Sequence, residues 1–200
     1  MAVTRRALIF GIGASIGAGL GALRRASRSD AAPTLLRPPG ALDEADFLAA
    51  CTRCGECVAV CPFDTLRLAG PDQGVSHGSP YFVPRETPCS LCQGHTDSDR
   101  PFACINVCPT PALKEITRTH DLRMGVAKIL PDLCLAHQGV TCRTCWHACP
   151  LPNEAIRLGA SLRPEVVPDQ CIGCGLCEHA CPTEQAAIVV EPPIPKPAST

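Results

Sequence analysis

The sequence predicts an α+β fold on three observations. Sixteen of its 200 residues are cysteine, and they fall into four groups of four. Short apolar stretches, several of them β-branched or alternating, separate the groups as strands do. Large side chains are scarce: aromatics make up 4% of the chain, against 21 prolines and 16 glycines. A conventional core is therefore thin, and something besides packing must hold the chain together. Cysteine at about 8% is the level at which a disulfide or metal scaffold becomes the leading explanation. The charged fraction of 18% argues against bulk disorder. Basic and acidic residues nearly balance, 18 to 19, which leaves no electrostatic footprint for nucleic acid.

Taken in order, the chain begins with Thr4-Arg5-Arg6 and an apolar, small-residue run from Ala7 to Leu23. A polar stretch with Arg24, Arg25 and Arg28 follows, and Ser29-Asp30-Ala31 offers a small-x-small cleavage site. Basic start, apolar middle and small-residue exit describe an export signal, and the arginine pair makes it the twin-arginine kind. The 17-residue run is short and glycine-rich for a spanning helix. The alternative is a retained anchor, with Gly13, Gly17 and Gly21 as a helix-dimer face. Removing residues 1–31 takes away five arginines and one aspartate and leaves a formal charge of −5.

Group one reads Cys51-x2-Cys54-x2-Cys57-x3-Cys61-Pro62, and group four repeats it as Cys171-x2-Cys174-x2-Cys177-x3-Cys181-Pro182. Group two is Cys89-x2-Cys92-x11-Cys104-x3-Cys108-Pro109, and group three is Cys134-x7-Cys142-x2-Cys145-x3-Cys149-Pro150. Every group ends in Cys-x3-Cys-Pro, so the chain carries a fourfold internal repeat. Groups one and four match the bacterial ferredoxin run for [4Fe–4S] clusters. Three closely spaced thiolates on a tight loop wrap three corners of a cubane. The fourth follows one helical turn and points to another cluster. Proline then ends the turn, because it lacks an N–H. Gly55, Gly173 and Gly175 allow the positive φ that such a loop needs.

A disulfide framework is the obvious rival in an exported protein, yet it has no reason to repeat this spacing. Zinc sites use separated cysteine pairs and need neither the third cysteine nor the proline. The sixteen cysteines therefore predict four [4Fe–4S] clusters, with no quartet incomplete. Clusters are built where iron, sulfide and reductant are available, and twin-arginine export carries folded cargo. The export signal and the cofactor support each other.

Strands are expected at Thr65–Ala69, Tyr81–Pro84, Leu113–Arg118, Gly125–Leu130, Ala155–Leu158, Glu165–Val167 and Ala187–Val190. Gly70, Pro71, Asp72 and Gly74 read as the turn of a hairpin from Leu66–Leu68 to Tyr81–Val83. Each cysteine group adds one helical turn. The result is a cysteine-rich α+β chain of duplicated bacterial-ferredoxin-like units in which the clusters form the core. The predicted organisation is an export signal at 1–31, an extended arm at 32–43, a four-cluster domain at 44–190 and a proline-rich tail at 191–200.

There is no Gly-x-Gly-x-x-Gly after a strand, no phosphate-binding loop and no G-x-S-x-G elbow. No substrate site is indicated, and cysteines alone carry the chemistry. His147 and His179 occupy the middle of Cys-x3-Cys segments. They read either as tuning groups for a neighbouring cluster or as surface residues on a short helix. Trp146 beside them reads as a partner contact or a cluster shield.

Several segments together resemble the NapG/MauM family of ferredoxin-type proteins. They are the twin-arginine start, Leu36-Arg37-Pro38-Pro39-Gly40-Ala41, the run from Cys51 to Val58, Ser79-Pro80-Tyr81-Phe82-Val83 and Arg123-Met124-Gly125. The resemblance covers most of residues 36–190. It implies a periplasmic four-cluster electron-transfer subunit without a substrate site of its own. Its electrons would come from a membrane-bound, quinol-oxidising ferredoxin-type partner and go to a periplasmic reductase or methylamine-utilisation chain. Membrane association would run through that partner or through an uncleaved signal. The alternative is the iron–sulfur subunit of a molybdopterin oxidoreductase. The groups can pair in tandem, one with two and three with four, or nested, one with four and two with three; the identical spacing of groups one and four favours nesting, and the four-cluster relatives imply it too. Cys51, Cys54 and Cys57 would join Cys181, and Cys171, Cys174 and Cys177 would join Cys61. Cys89, Cys92 and Cys104 would join Cys149, and Cys134, Cys142 and Cys145 would join Cys108.

Overall fold

The computed structural model describes residues 35–95 and 101–193. The predicted export signal and the last seven residues of the proline-rich tail lie outside the described residues. Helices and strands are all short. In chain order they are α1 (Glu44–Ala50), α2 (Glu56–Ala59), β1 (Arg67–Leu68), β2 (Pro80–Tyr81), α3 (Ala103–Val107), β3 (Val126–Ile129), α4 (Thr144–Ala148), β4 (Ile156–Leu158), β5 (Pro164–Val166), α5 (Leu176–His179) and β6 (Ile188–Glu191). One helical turn, α2 to α5, ends each cysteine group as expected.

The strands pair as three two-stranded antiparallel sheets, β1 with β2, β4 with β5 and β3 with β6. β1 and β2 form the expected hairpin, closed by a 3₁₀ turn over Pro71–Ser76. β3 and β6 embrace the second half of the chain, with Val126 opposite Glu191 and Ile129 opposite Ile188. The first half closes in the same way with less: Ala41 bridges Leu113, the Leu42 amide donates to Ala112, and the Lys114 amide donates to Gly40. The stretch Leu113–Arg118 is therefore a single bridge in place of the expected strand.

Two further elements depart from the sequence reading. The described part of the 32–43 segment is built into the fold: Leu36 to Gly40 are buried, and Leu36 bridges Phe82. Arg37 holds it there. Its buried guanidinium donates to Glu44, to the Ser76 and Ser79 hydroxyls and to the Pro80 carbonyl, and it lies over the Phe47 ring. A buried charge is tolerable only when paired and hydrogen-bonded in this way. Helix α1 has no counterpart in the expectations. Its signal was available: Glu44 and Asp46 suit the first turn of a helix, and Phe47 is its fully buried anchor.

The large side chains are few but central. Phe47, Phe82, Phe102, Leu122 and Ile156 are almost wholly buried, and buried cysteines of three groups share their cluster. The two halves touch near the cysteines. The Cys89 amide donates to the Cys174 carbonyl. Arg85, from the first half, donates to the carbonyls of Glu178, Cys181 and Thr183 in the second.

Candidate iron–sulfur centres

The one-turn helices pack in pairs, α2 on α3 and α4 on α5, and these pairs decide which sulfurs meet. Cys57 stands beside Cys51, Cys54 and Cys108. Cys61 lines a space of about 380 Å³ with Cys89, Cys92 and Cys104. Cys181 lines one of about 360 Å³ with Cys134, Cys142 and Cys145. Cys149 lines one of about 310 Å³ with Cys171, Cys174 and Cys177. All sixteen cysteines therefore fall into four quartets. In each, three come from one group and the fourth from the other group of the same half.

This corrects the nested pairing. Cys61 does not meet Cys171, Cys174 and Cys177, and Cys181 does not meet Cys51, Cys54 and Cys57. Nor does Cys149 meet Cys89, Cys92 and Cys104, or Cys108 meet Cys134, Cys142 and Cys145. The physical reason is strand closure. Group two is followed at once by Ala112–Lys114, which pairs back onto Gly40–Leu42 just before group one. Group four is followed by β6, which pairs onto β3 just before group three. Each half thus closes before it could exchange a cysteine with the other.

Local backbone geometry suits the loops. Gly55 and Gly175 sit in the left-handed region at φ 81° and 84° and open helices α2 and α5. Gly173 has φ 73°, and a Cβ there would collide with the backbone of Gly125. At the matching place in group one, Arg53 takes φ 57° and reaches the His77 carbonyl at 2.9 Å.

The quartets differ in burial. Cys171, Cys174 and Cys177 are all buried, whereas in the first quartet Cys54 is exposed and only Cys57 is buried. Burial pushes the thiols of Cys57 and Cys145 up to about 11, and those of Cys89 and Cys174 up to about 12. Neighbouring cysteines add to the rise at all four. Cys181 goes the other way. Burial raises it, but the Thr183 hydroxyl and the amides of Thr183, Ala187 and Ile188 outweigh burial and lower it.

The donor set fits iron–sulfur clusters. Among the described residues no three His, Cys, Asp or Glu side chains converge tightly enough to hold a single metal ion. In three of the quartets the cysteines line spaces instead of meeting at a point, as a multi-atom cluster requires and a lone tetrahedral zinc does not. All sixteen thiols are free.

His147 and His179 are exposed. The His147 ring meets Trp146 edge-on at 4.8 Å, and His179 Nδ1 contacts the Arg85 carbonyl at 3.1 Å. Half-buried Trp146 donates to the Asn153 side chain. The residues that sequence reasoning missed are the threonines against the sulfurs and Arg85 across the halves. Thr110 and Thr183 each follow a Cys-Pro pair, a legible signal. Arg85 carried none.

Residues 48–67 and 164–185 match the 4Fe-4S binding domain family, which indicates [4Fe–4S] clusters. The chain is 44% identical over 191 residues to the ferredoxin-type protein NapG of Escherichia coli, covering 90% of this chain and 79% of that protein. It is 46% identical over 175 residues to the methylamine utilization ferredoxin-type protein MauM of Methylorubrum extorquens, covering 83% of this chain and 76% of that one. The ferredoxin-type protein NapF of Escherichia coli is 34% identical over 116 residues, 57% of this chain and 58% of its own. With four-fifths of a NapG and three-quarters of a MauM matched above 40% identity, the chain belongs to the NapG/MauM family of ferredoxin-type proteins.

Proposed function

We propose that this chain is an electron-transfer subunit that holds four [4Fe–4S] clusters, one in each quartet, and has no substrate site of its own. The observation that carries the reading is that all sixteen cysteines fall into four quartets, three of them lining a space and the fourth gathered around Cys57. A [4Fe–4S] cluster supplies one-electron redox chemistry when bound. The chain's part is to hold and shape. Cysteines 51, 54, 57 and 108 would hold one cluster, and 61, 89, 92 and 104 a second. Cysteines 134, 142, 145 and 181 would hold a third, and 149, 171, 174 and 177 the fourth. Each ligand must lose its proton, and burial opposes a bare thiolate, so cluster binding and folding are coupled. Phe63 and Ile156 give two of the spaces an apolar wall.

The electron source is a membrane-bound, quinol-oxidising ferredoxin-type subunit, and the acceptor is a periplasmic reductase or methylamine-utilisation chain. The relatives' names support ferredoxin-type carriers, and the Arg5-Arg6 start supports folded export to the periplasm. Anaerobically purified protein should contain about sixteen iron and sixteen acid-labile sulfide per chain. A folded, zinc-only or iron-free protein would overturn the reading. Arg5→Lys with Arg6→Lys should strand the cluster-loaded precursor in the cytoplasm, and normal export of that variant would point to another route.

A further inference from the structure

The sulfur of Cys181 is surrounded unlike that of the other three cysteines that end their groups. The Thr183 Oγ1 lies 3.1 Å from it. The Ala187 amide donates to it at 3.3 Å, and the amides of Thr183 and Ile188 also point to it. Cys142, in the same quartet, has the Thr144 hydroxyl at 3.7 Å. At Cys108 the matching Thr110 hydroxyl stands off at 3.7 Å. Cys61 and Cys149 have Phe63 and Leu151 in the place of the threonine, so no hydroxyl is there. Arg85 adds positive charge to the same loop, donating to the carbonyls of Cys181 and Thr183 at 2.8 and 2.7 Å.

Hydrogen bonds to cluster sulfurs raise reduction potential, because reduction adds negative charge that the donors stabilise. Thr183 has one hydroxyl proton and two acceptors for it. With Cys181 as a thiol, the S–H donates to Thr183 Oγ1, and the Thr183 proton goes to the Gln185 carbonyl at 2.7 Å. A ligating Cys181 has no proton, so its negative sulfur competes with that carbonyl.

We propose that Thr183 is a positioning residue that turns its hydroxyl to the Cys181 sulfur in the loaded protein and makes the Cys134–Cys142–Cys145–Cys181 centre the most oxidising of the four. The inference rests on the four-cluster reading above and makes this quartet the electron-accepting end of the subunit. No proton is transferred. The hydroxyl only reorients while one electron is added.

The test is a mediated redox titration of full-length, cluster-loaded protein, followed by electron paramagnetic resonance. Iron and sulfide are assayed on every sample. In Thr183→Val the most positive of the four transitions should move to more negative potential. The reduced-to-oxidised ratio at fixed potential should change about tenfold, which is about 59 mV for one electron. The other three transitions should hold, and Thr183→Ser should behave as the parent. Four unmoved transitions at full iron content would overturn the inference, because the hydroxyl would then stay on Gln185. A shift in any transition but the most positive would overturn it too. So would loss of one cluster from both Thr183→Val and Thr183→Ala with Thr183→Ser fully loaded, since the hydroxyl would then hold the cluster and not tune it. A parent protein without four clusters overturns the proposed function instead, and the iron assay tells the two failures apart.

Discussion

The quartet of Cys51, Cys54, Cys57 and Cys108 and the quartet of Cys171, Cys174, Cys177 and Cys149 start from identical spacing and end in different surroundings. The first leaves Cys54 exposed and Cys51 half-buried, beside an exposed arginine at the turn. In the second, three cysteines are buried and the turn residue is Gly173, pressed on Gly125. The second also touches the other half, through the amide of Cys89 on the Cys174 carbonyl. Spacing shapes a loop that can wrap a cluster. What packs on the loop decides how wet the cluster is, and with it the potential.

The largest effect should come from the buried member. Cys174→Ser should hold one cluster fewer than the parent and lower Tm by about 10 °C or more, since burial leaves no water to replace the ligand. Cys54→Ser should keep most of its Tm, and a mild chelator should strip iron from the parent's first quartet before the Cys171–Cys177 one. Iron content and thermal melts check both, and equal sensitivity of the two sites would erase the comparison. Next come the turn residues. Gly173→Ala should destabilise by about 3 kcal/mol or more, from left-handed strain and the collision with Gly125. Arg53→Gly should stay within about 1 kcal/mol, because strain relieved offsets chain freedom gained.

A smaller effect should appear in the pH dependence of reconstitution. Raised thiol values favour the protonated form, so each ligand must give up a proton to bind metal. Cluster uptake should therefore rise with pH from neutrality toward about 9. The quartet with Cys174, pushed up to about 12, should lag the quartet with exposed Cys54. Uptake that is flat with pH, followed by visible absorption, would remove thiol burial as the cause.

Much of this was legible in the sequence. The four cysteine groups, their helical turns and the places of β1 to β6 follow from spacing, proline and β-branched runs. The partnership of the groups was not legible, and identical spacing misled. Spacing belongs to the loop, whereas partners are chosen by closure. In the first half that closure is one bridge, Ala41 to Leu113, too short to leave a periodic pattern. The insertions in groups two and three break the spacing that groups one and four keep, and the matched stretches fall on groups one and four. Arg37 and Arg85 were unreadable for a different reason. A lone arginine looks like surface until its carbonyl and hydroxyl partners, 39 to 99 residues away, are in place.

The closure of each half on itself also has a meaning in time. A nested arrangement would keep the first cysteines waiting for Cys181, 120 residues after Cys61. Here the partners of Cys51 to Cys61 are complete once Lys114 has been added to the chain. At about 5–20 residues per second, that is roughly 4–15 s before β6 is made. The nascent first half has every thiol it needs while the second is still being translated. Arg85 can reach its carbonyls around Cys181 only after the second half has been made.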